Sequence, residues 1–220
     1  IPDIITAGKD TVAVRIPNHP VTLELLQKLP FPLAAPSANP FNNISPTKPE
    51  HVEGYFKNDI QQVLDGGACK NGIESTIIGF ENNEPIIYRL GALSIEKIEA
   101  VIGKIAIKNT KEENPEAPGM LHKHYSPLTK TILTTNIPNE VSKHPTKKIG
   151  LLSFNTSYKE KAIVTEIILS KLGNLEEAAT NLYDALHQLD SLNLDVIIVE
   201  KLPEIGLGKS INDRLKRASF

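Results

Sequence analysis

The residues whose types and spacing best suit them to chemistry lie at 34–47, which read A-A-P-S-A-N-P-F-N-N-I-S-P-T. Ser37, Asn39 and Ser45 bring hydroxyl and amide groups, while Ala35 and Ala38 leave room for a ligand to approach the backbone. Pro36, Pro40 and Pro46 each fix φ, so the stretch is preset and loses little conformational freedom when it binds something. A loop of this kind on a rigid support is where binding and catalytic groups concentrate. A proline-rich surface connection without a function has the same composition, and the stretch alone does not separate the two readings.

Other candidates are scattered. Arg15 and Arg89 each close a predicted strand, where a guanidinium can clamp a carboxylate or phosphate through two parallel bonds. Taken singly, either arginine reads equally as half of a structural ion pair. Glu74-Ser75-Thr76 follows a glycine turn and sets hydroxyls at the start of a strand. His122-x-His124 has a spacing that could offer two imidazoles to zinc, but no cluster of cysteines or carboxylates completes a ligand set, so no metal site is assigned. Cys69 has no partner base fixed by the sequence and is expected to be a small buried thiol. Gly208-Lys209-Ser210 is not a phosphate-binding P-loop, since the required earlier glycine is Pro203.

The elements that must position these groups follow from periodicity and punctuation. Residues 11–16 (T-V-A-V-R-I) alternate and are β-branched, which predicts a strand. Leu25, Leu26 and Leu29 predict a helix over 21–29, ended by Pro30, and the apolar run 31–33 predicts a buried strand leading into the 34–47 loop. Thr47 and Glu50 match a capping box, predicting a helix to about Phe56. Residues 62–64 read as a strand before the Asp65-Gly66-Gly67 turn. Strands at 75–80 and 86–89 flank a hairpin turn, and Ser94 caps a helix to about Ile102. Residues 108–127 carry prolines and an acidic pair without apolar periodicity, as a linker does. Beyond it come strands at 149–154 and 163–169, then a helix at 175–192 with Leu175, Ala179, Leu182, Leu186 and Leu189 on one face. A strand at 196–199 and a last helix at 210–218 complete a small α/β unit with a parallel sheet.

The totals narrow the function classes. A chain of 220 residues with 40% hydrophobic and 23% charged content is ordinary for a globular protein, and a formal charge of −2 supplies no basic excess for salt-dependent binding along nucleic acid. The basic cluster Lys209, Arg214, Lys216 and Arg217 is expected to match the dipole at a helix C-terminus. One cysteine excludes an internal disulfide framework and fits a reducing compartment. No apolar run is long enough to span a bilayer, so no membrane partner is expected and the default location is cytoplasmic. The chain begins at Ile1 and its one methionine is Met120, which predicts processing or a piece of something longer.

Set in order, the fragments form a series: V-A-V-R-I-P-x-H-P, A-P-S-A-N-P, S-P-T, D-G-G, G-I-E-S-T-I-I, Y-R-L-G, P-G-M-x-x-x-H-Y-S-P and G-L-G-x-S-I-x-D-R-L-x-R-A. This series closely resembles the YrdC family of threonylcarbamoyl-AMP synthases, in the long form with an extra C-terminal domain. The resemblance covers nearly the whole chain. It implies a twisted α/β catalytic domain over 1–107, a linker or active-site lid over 108–129, and a small Rossmann-like α/β domain over 130–220.

Enzymes of this family join L-threonine, bicarbonate and ATP into threonylcarbamoyl-adenylate and release pyrophosphate, with Mg2+ on the phosphates. A downstream transferase then moves the threonylcarbamoyl group to tRNA. The resemblance places threonine contacts at Arg15, Ala35 and Ser75, and nucleotide contacts at Thr11, Ser37, Ser45, Arg89 and Tyr125. Asn39, Thr76 and His124 stand as supporting residues, no residue is assigned as general acid or base, and the Gly206–Ala218 ending is read as structural. Family members begin their catalytic domain well before Thr11, with a Lys-x-Arg phosphate-binding element and part of the threonine pocket. No K-x-R precedes Thr11 here, so a catalytic domain incomplete at its front is expected, with activity of this chain alone in question. Three other readings compete: a YrdC-like module of a hydrogenase-maturation carbamoyltransferase, a noncatalytic RNA-binding module making weak RNA contacts, and an inert fragment. The single cysteine counts against the first, and balanced charge with 5% aromatics against the second.

Overall fold

Two separate sheets, each built around a different core, make up the chain in a computed structural model that describes residues 1–6, 8, 12, 14–15, 17–108 and 124–219. The first half opens with three helices, α1 (Asp3–Thr6), α2 (Pro20–Lys28) and α3 (Pro49–Phe56), joined by long irregular runs. β1 (Ile77–Glu81) and β2 (Glu84–Arg89) then form an antiparallel hairpin. Its two-residue turn is Asn82-Asn83, both at positive φ, the conformation that matches the twist of paired strands. α4 (Ile95–Ile102) is capped by the Ser94 hydroxyl, which accepts from the Lys97 N–H, and returns the chain to β3 (Ala106–Ile107), parallel to β2.

The second half alternates strand and helix: β4 (Thr131–Thr134), α5 (Ile137–Ser142), β5 (Ile149–Ser153), β6 (Ile163–Ile168), α6 (Leu175–Asp190), β7 (Val196–Glu200) and α7 (Leu207–Ala218). Its four strands are all parallel in the order β4-β7-β5-β6. Every residue of β5 is buried, as expected for a strand covered on both faces. Ile137 and Val141 of α5 pack on Ile149, Leu151, Val196 and Ile198 on one face. On the other, α6 and α7 cover Leu152, Ile197 and Val199. Ile44 and Ile73 of the first half join that same core, which ties the two halves together.

Several expected elements are absent. Half of the strand predicted at 11–16 lies outside the described residues; Val12, Val14 and Arg15, which are described, are in no strand, and Val14 is 80% exposed. The run 31–33 is also irregular, with Phe31 56% exposed, and 62–64 forms no strand. For 31–33 and 62–64 no neighbouring strand among the described residues supplies a ladder, and an unpaired strand is not stable. Thr47 does not cap α3. Lys48 occupies the N-cap position without a side-chain bond, Pro49 opens the helix, and the Thr47 N–H donates instead to His51 Nδ1. Cys69 is exposed rather than buried, because its segment crosses the surface and is held by a backbone bond to the Thr47 carbonyl. The linker expected at 108–127 falls mostly outside the described residues.

Candidate active site

Glu74 is the centre of the polar cluster between the two halves. The chain before β1 carries its carboxylate to the buried face of α6 and α7, where three side chains converge on it. The Ser45 hydroxyl donates to Oε1 at 2.9 Å, the Tyr183 hydroxyl reaches both oxygens at 3.1 and 3.2 Å, and Arg214 Nε donates to Oε2 at 3.1 Å. Burial alone would raise the Glu74 pKa, but Arg214, a backbone bond, the Ser45 hydroxyl and Arg89 bring it below the usual carboxylate range. The group is therefore an anion, and its hydrogen-bonding partners donate to it.

Arg214 comes from α7 and is fully buried. Besides Glu74, it donates from Nη2 to the Leu90 carbonyl at 2.6 Å and from Nη1 to Asp213 at 2.7 Å. Its guanidinium also lies over the Tyr125 ring, 5.2 Å from the centroid. Tyr125 is 1% exposed, stacks on Tyr183 at 5.5 Å and holds a positive φ of 61°. Burial pushes the hydroxyl pKa values of both tyrosines up, so both stay neutral donors. The next residue, Ser126, donates its N–H to the Asn42 carbonyl, so Tyr125 is pinned beside the 34–47 loop.

Arg89 closes β2 as expected and donates from Nη2 to the Ser75 carbonyl at 2.8 Å. Burial draws its pKa down, yet a guanidinium remains a cation in a protein. Gly91 lets this arrangement close: a Cβ there would stand 2.2 Å from the Ser75 carbonyl carbon. Thr76 holds the facing segment by donating to the Leu93 carbonyl and accepting from the Leu93 N–H. Arg214 pairs with Glu74 and Asp213, Arg217 pairs with Asp213, and Arg89 lies close enough to Glu74 to hold its carboxyl in the charged form.

The chain was compared with known proteins. The family model for "Threonylcarbamoyl-AMP synthase, C-terminal domain" matches residues 93–219, and one described as "Telomere recombination" matches residues 1–91. The threonylcarbamoyl-AMP synthase of Pyrococcus abyssi is 36% identical over 234 residues, covering 100% of this chain and 67% of that protein. The chain belongs to the threonylcarbamoyl-AMP synthase family. The Bacillus subtilis member is 35% identical over 226 residues, with 98% of this chain and 65% of its own length covered. For the Schizosaccharomyces pombe member the identity is 35% over 242 residues, with 98% and 59% covered. The crystal structure of the P. abyssi protein Sua5 complexed with L-threonine superposes with a TM-score of 0.87 at 36% identity, over 100% of this chain and 67% of that one. A variant of it gives 0.86 at 34% identity, covering 100% and 66%. The chain thus spans about two thirds of the length of these relatives.

Against that family background, the positions named from sequence divide into groups. Ser45, Ser75, Arg89 and Tyr125 gather around Glu74 and Arg214. Asn39 ties the loop to itself, donating from Nδ2 to the Pro40 and Asn43 carbonyls. His124 packs at 4.0 Å on Tyr125, and burial lowers its pKa. Ala35 and Ser37 are exposed along the loop. Arg15 is exposed and makes no hydrogen bond or ion pair with other described residues, and Thr11 and His122 lie outside the described residues. The ending read as structural, 206–218, does open α7 at Gly206, but it also delivers Arg214 into the site. Its basic residues divide accordingly: Lys216 and Arg217 sit in the last turn, whereas Arg214 is buried against Glu74. Glu74 and Arg214 both stood in motifs quoted above, but their pairing spans 140 positions, and no local signal announces it.

Proposed function

We propose that this chain carries the nucleotide-binding and C-terminal portions of an L-threonylcarbamoyladenylate synthase, which makes threonylcarbamoyl-AMP and pyrophosphate from L-threonine, bicarbonate and ATP. The observation that carries the reading is the family membership over the whole chain, joined to the gathering of Ser45, Arg89 and Tyr125 at one buried charged cluster. In this reading the threonine amine adds to bicarbonate with loss of water, giving a carbamate. A carbamate oxygen then attacks the α-phosphorus as the bond to the pyrophosphate oxygen breaks. No residue of the chain needs to form a covalent intermediate. The work is positioning and charge stabilisation, with Arg89 neutralising phosphate charge and Ser37 donating to phosphate oxygens from the loop. Arg15, Ala35 and Ser75 would hold threonine, the arginine taking its carboxylate.

Tyr125 belongs to the nucleotide side of this reading, with His124 as a supporting residue. The solved variant of the P. abyssi protein has a consecutive His and Tyr replaced by alanine, and His124-Tyr125 is the one His-Tyr dipeptide of this chain. The described residues hold no cluster of three or more His, Cys, Asp or Glu that could bind a metal. Magnesium would enter on the ATP phosphates, where it neutralises charge, and no residue here is assigned to it. The product would pass to a tRNA-modifying transferase in the cytoplasm. No helix among the described residues is long and apolar enough to cross a membrane. The test is pyrophosphate release by the chain with threonine, bicarbonate and magnesium each withheld in turn. Release that needs all three supports the synthase, and release indifferent to threonine and bicarbonate rules it out.

A further inference from the structure

We propose that Arg214, contributed by the C-terminal α7, is a positioning residue for the nucleotide site in the first half of the chain. The inference rests on the synthase reading given above. Four contacts of one guanidinium carry it. Nε fixes Glu74, which orients the Ser45 hydroxyl; Nη2 fixes the carbonyl of Leu90, the residue after Arg89; Nη1 is held by Asp213; and the planar face lies against Tyr125. Tyr125 touches Arg214 directly, Ser45 is linked to it through Glu74, and Arg89 through the peptide bond to Leu90. Glu74 also precedes Ser75, whose carbonyl takes the Arg89 bond.

Mere adhesion between the halves does not call for this arrangement. Ile44 and Ile73 already enter the shared core, and the Ser210 hydroxyl donates to the Gly91 carbonyl at 2.9 Å from the same helix. A fully buried cation is costly to desolvate and is retained only where its geometry satisfies several partners at once. Lysine keeps the charge but has a single nitrogen and no planar face, so it cannot hold Glu74 and the Leu90 carbonyl in a fork while lying on Tyr125. Arg214→Lys thus removes the positioning and leaves the charge balance.

The experiment compares the unsubstituted chain, Arg214→Lys and Ser210→Ala. Each is assayed for pyrophosphate release against ATP and against threonine, for ATP binding by calorimetry, and for Tm. Arg214→Lys is expected to raise the ATP KM and the ATP Kd at least roughly tenfold, with a smaller change in the threonine KM. Ser210→Ala removes an interface bond of the same helix and should lower Tm without moving the ATP KM. Equal ATP constants in the unsubstituted chain and Arg214→Lys would overturn the proposal. So would an ATP KM that follows Tm equally in both variants. In an unsubstituted chain that binds ATP without turning it over, the ATP Kd comparison alone decides the role of Arg214. One that binds no ATP removes both the proposal and the synthase reading.

Discussion

Arg89 and Arg214 are guanidinium groups beside the same carboxylate, yet they are placed for different tasks. Arg214 is enclosed by protein partners on every nitrogen, whereas Arg89 closes β2 and gives Nη2 to the Ser75 backbone carbonyl. In the synthase reading Arg89 neutralises phosphate charge, so Arg89→Ala is expected to weaken ATP binding by about 10–100-fold, the worth of one to two charge-assisted hydrogen bonds, with the fold retained. Calorimetric titration beside a far-ultraviolet circular dichroism spectrum checks both halves of that statement. Gly91→Ala should behave in the opposite way. Its methyl would meet the Ser75 backbone, so stability should fall by about 1–3 kcal/mol as the facing strand segments separate, read from the urea midpoint. At this scale the sequence disclosed the residue types but not their pairing. Ser45, Arg89 and Tyr125 were recognisable from motifs, while Tyr183 lies inside the predicted helix at 175–192 in no motif of the series. Only the fold brings its hydroxyl to Glu74.

Among the elements, legibility followed burial. β5, β7 and α6 have long periodic or wholly apolar patterns, and their bounds lie within two residues of those expected. β4 and α5 escaped notice because four and six residues are too few to show a period, and α5 is recognisable mainly through Asn136, which caps it by accepting from the Asn139 N–H. The reverse error occurred at 31–33 and 62–64, where apolar runs have no partner strand among the described residues. Local propensity proposes a strand, and only a ladder makes one. The predicted cap of α4 gives an element-scale test. Ser94→Ala should cost about 1 kcal/mol of stability, measured by thermal or urea unfolding, because Lys97 loses the acceptor for its N–H.

For the whole molecule, the contact between halves contains a second titratable cluster. His51 of α3 and His187 of α6 stack at 3.8 Å, and His187 Nε2 donates to the Ser45 carbonyl at 3.2 Å. Asp184, Lys48, Glu50, Asp190 and Tyr55 surround the pair. Burial and the neighbouring His51 lower the His187 pKa to about 4, so the folded protein holds it neutral. Between about pH 4 and 6.5 the unfolded chain binds a proton that the folded one refuses, so this contribution to stability is full above pH 6.5 and fades as pH falls toward 4. The ring is partly open to solvent, which limits the effect to about 1–2 kcal/mol. His187→Gln should flatten that part of the stability-versus-pH curve in urea melts at pH 4.5, 5.5 and 7.5. An equally steep curve in the variant would assign the slope to other groups. The Glu74–Arg214 bond has a consequence for descent as well. Losing either partner alone strands a buried charge, at a cost approaching about 3–5 kcal/mol. A chimera joining residues 1–107 of one relative to the C-terminal unit of another should thus fold well only when the first parent supplies the glutamate and the second the arginine.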